Sequence, residues 1–141
     1  MKKRVLLTIT GTQMYDDNND KIELTTVGTL EERNDWYVVK YKEEQEPPQK
    51  AIDVTVKIAK DDKTVEILRS GVANSCLIIE KSKRNLCHYG TFYGDILMGI
   101  HGKTIQSDVQ EDCGRFEFGY DVEINGALTS RNKLVMDYKN N

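Results

Sequence analysis

The chain has 141 residues, 30% of them charged and 38% hydrophobic, with only two prolines, which fits one globular domain over 1–141 rather than a disordered segment. A formal net charge of -3 argues against a general polyanion binder. The apolar run after Lys2, Lys3 and Arg4 stops at Thr8, short of a secretory core; no run approaches a membrane span; and three cysteines without CxxC spacing point to a reduced, cytoplasmic setting.

Val5, Leu7 and Ile9 open a first strand ending near Gln13, with Arg4, Thr8, Thr10 and Thr12 on its other face. The polar run 16–20 makes a turn, after which Ile22, Leu24, Thr26, Gly28 and Leu30 alternate against Glu23, Thr25, Thr29 and Glu31. A third strand covers 36–43, with Tyr37, Val39 and Tyr41 inward and Lys40 and Lys42 outward. The polar connection 43–50, stiffened by Pro47 and Pro48, follows it.

Ile52, Val54, Val56 and Ile58 form a cleanly alternating strand, and Asp61 and Asp62 turn the chain into Val65, Ile67 and Arg69, which share one face. The run 76–81 is almost continuously apolar, so its phase cannot be assigned. A basic turn at 82–85 leads into the aromatic-rich segment 86–93. After Gly94 and Asp95, Ile96, Met98 and Ile100 set a phase that slips before Ile105, and Gly102 is the natural place for a bulge.

The segment 114–138 reads as one long hairpin. Phe116, Phe118, Tyr120, Val122 and Ile124 alternate with polar residues, Asn125-Gly126 is a turn signal, and Leu128, Leu134, Met136 and Tyr138 resume the apolar beat. A three-residue loop, Asn125-Gly126-Ala127, sets Phe118 opposite Leu134, Phe116 opposite Met136, Arg115 opposite Asp137 and Asp121 opposite Arg131. Facing pairs of these kinds contribute about 0.2–1 kcal/mol each, which favours that register over the two-residue alternative. No stretch shows sustained helical periodicity. Some 8–10 antiparallel strands joined by tight turns predict an all-β, up-and-down meander barrel.

Arg69-Ser70-Gly71, Tyr89-Gly90-Thr91-Phe92-Tyr93-Gly94 and Ser130-Arg131-Asn132, with Gly11-Thr12-Gln13, Gly28-Thr29-Leu30 and Tyr120, resemble the YwiB-like family of small uncharacterised proteins of Gram-positive bacteria. The similarity runs over essentially the whole chain. It implies a lipocalin-like (calycin) β-barrel and no established activity. The chain departs from the pattern at Gly102, where a threonine is implied, so no hydroxyl is available there.

Several constellations invite chemistry and fall short of it. Asp16, Asn18 and Asp20 have calcium-loop spacing, but Lys21 stands where the sharp-turn glycine belongs and Val27 where the bidentate glutamate belongs. His88 and His101 lack metal spacing and any nucleophile signature, and Cys87 beside His88 points to the opposite face of a regular strand. Lys2 to Arg4 and Lys81 to Arg84 read as solvated turns rather than phosphate contacts. No catalytic residue, metal site or cofactor is therefore expected.

What remains is a set of polar groups on inward faces. Arg69 is in phase with Val65 and Ile67, and Tyr120 and Asn132 are in phase with their hairpin's apolar residues. In a meander, the loops at 16–20, 43–50, 71–74, 94–95 and 125–127 share one end, which places Arg69 and Tyr93 beside that mouth and Tyr120 and Asn132 below it. Such a cluster is either a structural plug or a ligand anchor.

The leading expectation is non-covalent binding of a small amphipathic or anionic ligand by Arg69, Tyr93, Tyr120 and Asn132, its tail among Leu24, Val39, Val54, Ile67 and Phe118. The loop with Pro47 and Pro48 could serve as a lid. The alternative is an interaction module with a filled barrel, and third comes a hydrolase or isomerase, an enzyme being the lesser expectation. No nucleic-acid or membrane partner is expected, and a homo-oligomer stays open.

Overall fold

The computed structural model describes residues 2–15, 18–44, 47–71, 74–91 and 94–141, with the side chains of 89–91, 94 and 95 outside that description. Ten strands follow one another: β1 (Lys2–Tyr15), β2 (Asn18–Arg33), β3 (Trp36–Glu43), β4 (Ile52–Ala59), β5 (Thr64–Ser70), β6 (Ser75–Glu80), β7 (Arg84–Thr91), β8 (Gly94–Val109), β9 (Cys113–Ile124) and β10 (Ala127–Asn140). Each pairs antiparallel with its neighbour in sequence, and β1 pairs with β10 from Val5↔Asn140 to Met14↔Arg131, which closes the barrel. This is the expected all-β meander. No helix among the described residues is long and apolar enough to cross a membrane.

Alternation fixes the inside. Val5, Leu7 and Ile9 of β1, Val54, Val56 and Ile58 of β4, and Phe116 and Phe118 of β9 are buried together. In β6, Leu77 and Ile79 carry the buried phase while Cys76 and Ile78 are half-buried, which resolves the strand whose phase the sequence left open.

The terminal hairpin has the expected pairs, Phe118↔Leu134, Phe116↔Met136, Arg115↔Asp137 and Asp121↔Arg131. Its loop differs from expectation. Ala127 pairs with Ile124, so the turn is the two residues Asn125 (φ 54) and Gly126 (φ 79), both in the left-handed region that a tight hairpin turn uses. The odd residue enters as a bulge between Leu128 and Ser130, which restores the in-phase register beyond it.

β8 carries the second bulge, between Gly102 and Thr104, at the predicted slip. Gly102 also has a role that phase does not reveal. Its amide donates to the Lys83 carbonyl at 3.0 Å and its carbonyl accepts from the Ser82 amide at 3.0 Å, so the β6–β7 turn is seated directly on it. A Cβ there would lie 2.0 Å from the Glu80 carbonyl oxygen. Elsewhere β6 and β7 share only the Ser75↔Tyr89 pair, so this weld and an Ile78 amide donating to Cys87 Sγ at 3.4 Å hold the seam.

The two ends differ. At the lower end Phe116 stacks on Tyr138 with ring centroids 5.9 Å apart, and the Tyr138 hydroxyl donates to the Gln110 carbonyl at 2.9 Å. At the upper end β2 leaves β3: the two pair only from Thr29↔Lys40 to Arg33↔Trp36, so 18–28 of β2 keep β1 alone as partner among the described residues.

Candidate functional site

Among the described residues the upper half of the barrel is open. A cavity of about 760 Å³ and one of about 410 Å³ share Gly11, Ile22, Arg69, Leu77, Tyr120 and Leu134 in their walls, so they form one continuous mouth and lumen. Three of the four expected anchors, Arg69, Tyr120 and Asn132, line the larger cavity. Tyr93 lies outside the described residues, as do Asp16 of the calcium-like spacing and part of the 43–50 connection.

Arg69, second from the end of β5, continues the inward phase of Val65 and Ile67 and sits opposite Val54 and Ser75. Its Nη1 donates to Glu43 Oε2 at 2.7 Å, with the Arg69 side chain 34% and the Glu43 side chain 22% exposed. Glu43 is the residue that sequence reasoning missed. It is the last residue of β3 and continues the inward beat of Tyr37, Val39 and Tyr41, a signal present in the sequence but read as the start of a loop.

Between this ion pair and the core stands Tyr41, buried on the same strand. Burial, with the Glu43 carboxylate adding to it and Arg69 opposing it, pushes the Tyr41 hydroxyl up to about 12, so it remains a neutral hydrogen-bonding group at physiological pH.

The facing wall is polar, built of amide and hydroxyl groups with Asp20 beside Gln13 at its rim. Tyr120↔Asn132 and Asn132↔Gln13 are successive pairs across β9, β10 and β1. Asn132 Nδ2 donates to the buried Ser130 Oγ at 3.1 Å, and Gln13 Nε2 reaches the same oxygen at 3.5 Å. An ion pair on one wall therefore faces amide and hydroxyl groups on the other, with an apolar floor of Ile9, Leu24, Val56, Ile67, Leu77 and Leu134. This can orient a molecule with a polar head and a short apolar body.

The expected tail contacts need correction. Leu24 and Ile67 do line the lumen, but Val39, Val54 and Phe118 are fully buried and line neither of these cavities. Large side chains from β9 and β10, among them Phe116, Phe118, Met136 and Tyr138, pack the lower half solid. Plug and pocket thus divide the barrel by height.

Neither histidine approaches the lumen. His88 follows inward-facing Cys87 and is exposed. His101 faces outward beside Ile100, with Nε2 on Glu123 Oε1. Glu123 also pairs with Arg84 at 3.2 Å, and the His101 and Arg84 hydrogen bonds hold its carboxyl below its ordinary value against partial desolvation. Among the described residues no group of three His, Cys, Asp or Glu side chains could hold a metal ion. Cys76, Cys87 and Cys113 are free thiols, half-buried, buried and exposed in turn, and burial, with Glu66 and Cys87 nearby, pushes the Cys76 thiol up.

Comparison with known proteins agrees with the family resemblance. A family model described as Domain of unknown function (DUF1934) matches residues 7–136. The Uncharacterized beta-barrel protein YwiB of Bacillus subtilis (strain 168) is 22% identical over 141 residues, covering 99% of this chain and 96% of that protein. The crystal structure of ywiB protein from Bacillus subtilis matches with a TM-score of 0.86 at 21% identity, over 99% of this chain and 93% of that one.

Proposed function

We propose that this chain, which belongs to the DUF1934 family of domains of unknown function, binds a small amphipathic molecule non-covalently in the upper half of its barrel. The observation that carries this reading is the continuous lumen, whose two parts of about 760 and 410 Å³ share Arg69 and Tyr120 in their walls. Ligand sites typically span about 300–1,000 Å³ and combine apolar walls with a few placed polar groups.

In this reading the head group sits between Arg69 and the Tyr120–Asn132 wall. Arginine's planar fork suits a carboxylate or phosphate, and the tyrosine and asparagine supply neutral hydrogen bonds. The apolar body lies on Leu24, Ile67 and Leu77. Because Phe118 and its neighbours pack the barrel beneath that floor, the ligand is short, and because Glu43 already engages Arg69, an anionic head shares the guanidinium with it or displaces it.

Native mass spectrometry of the protein purified from its own host tests the reading. A retained small molecule in wild type that is lost in Arg69→Met supports it. Ligand-free wild type, with no probe of this class bound on addition, overturns it.

A further inference from the structure

The outer face of this barrel matches its charges across strands. Lys57 of β4 meets Glu66 of β5 at 3.8 Å, Lys133 of β10 meets Glu117 of β9 at 2.6 Å, and Arg115 of β9 meets Asp137 of β10 at 2.6 Å. Lys21 and Glu23 on the outer face of β2 are exceptions. Their neighbours on β1 are Thr12 and Thr10, and neither makes an ion pair among the described residues. They stand on the stretch of β2 that β3 leaves unpaired, next to Ile22, the most exposed large apolar side chain among the described residues at 71%. An open strand edge is a template for another strand, and one that matched this charge pattern would place an acid opposite Lys21 and a base opposite Glu23.

The same segment run antiparallel supplies that strand. We infer that the open edge of β2 is a self-association surface, at which two copies of this chain pair β2 with β2 about a two-fold axis through Ile22. Such an axis stands normal to the sheet and keeps each side chain on its own face, so it passes through one residue and its counterpart. Centring on Lys21 or Glu23 stacks like charges. Centring on Leu24 sets Lys21 opposite Val27 and Glu23 opposite Thr25. Only Ile22 as centre sets Lys21 opposite Glu23 of the partner subunit, twice by symmetry, while the two Ile22 side chains meet on the lumen face. Paired in this way, the second copy closes the lateral opening beside Ile22, Glu23 and Leu24, where the smaller part of the lumen reaches Tyr41 and Glu43. The pairing rests on the edge and its charges and stands independently of any ligand.

Sedimentation equilibrium of the full chain across the micromolar range tests it. Wild type shows association from 16.2 kDa toward twice that mass. Lys21→Glu and Glu23→Lys each turn two attractive pairs into repulsive ones and weaken the dimer by about tenfold or more. Mixing these two variants restores it, because the first carries acids at both positions and the second carries bases at both, so each pair of the heterodimer joins an acid to a base. The double variant restores it too, since exchanging the two charges within one strand leaves every facing pair opposite in sign. Circular dichroism confirms that each variant keeps its strands. A monomeric wild type, a dimer indifferent to either single reversal, or single variants whose mixture stays monomeric overturns the inference.

Discussion

Gly102→Ala is the substitution with the largest expected consequence for its size. A Cβ at this position would stand 2.0 Å from the Glu80 carbonyl oxygen, 2.5 Å from its carbon and 3.0 Å from the Lys81 nitrogen. All three are backbone atoms, so no side-chain rotation relieves the contact. Reaching an ordinary separation of about 3.5 Å moves the β6–β7 turn away from β8 by about 1.5 Å. That displacement breaks the two hydrogen bonds between Gly102 and the turn, at Lys83 and Ser82. Two such bonds are worth about 1–3 kcal/mol net, and residual overpacking adds about 1–3 kcal/mol. Restricting the unfolded chain returns about 0.4–1 kcal/mol.

The expected net loss is about 1–5.6 kcal/mol, against a total stability of about 5–15 kcal/mol for a domain of this kind. Urea unfolding followed by circular dichroism measures it. Gly11→Ala is the control, since its Cβ meets only Leu134 Cδ1 at an ordinary 3.5 Å and the change should stay within about 0.5 kcal/mol of wild type. A loss below about 1 kcal/mol for Gly102→Ala refutes the claim that the glycine seats the turn.

Arg69→Met should weaken binding of an anionic amphipathic probe by about 1.5–3 kcal/mol, the scale of a charged hydrogen bond, read by calorimetric titration. Glu43→Gln should strengthen it by removing the competing carboxylate. Glu123 has its carboxyl held down in the folded state, so its contribution to stability is present above its unfolded value near 4.5 and disappears as pH falls through the lower folded value. The Tm difference between wild type and Glu123→Gln should therefore be greatest toward neutral pH and shrink on acidification; a pH-independent difference contradicts this. Gly126→Ala meets nothing within 4 Å, yet φ of 79 strains it, so a cost of about 1–2 kcal/mol in denaturant unfolding is expected without any clash. Thiol labelling of the native protein should proceed fastest at Cys113 and slowest at Cys87.

Period-two alternation made the strands legible because each lines one packed interior, and it placed β3 at 36–43 without error. The same logic put Arg69, Tyr120 and Asn132 on inward faces, because their phase is set by their own strands. The terminal loop was not legible, because a three-residue turn and a two-residue turn followed by a bulge give the same pairs beyond Ser130, and the facing charges cannot tell them apart. The left-handed preference of Asn125 and Gly126 decides between them. Glu43 was within reach, one step further along an established phase. The packing of Phe118 and Val54 was not, because alternation says which way a side chain points and not whether the space it enters is filled. Gly102 was found as a bulge site, whereas its contact with Glu80 depends on where a distant turn lands.

Uptake of an amphipathic molecule by the upper lumen should be abolished by occluding that space. Gly11 lines both parts of the lumen, so Gly11→Leu fills the shared space while leaving Arg69, Tyr120 and Asn132 in place. Fluorescence titration with anilinonaphthalene sulfonate, an amphipathic anion, should show one saturable site in wild type and none in Gly11→Leu, with both proteins giving the same far-ultraviolet circular dichroism. Equal binding by the two proteins would place the probe outside the barrel and rule out uptake by the lumen.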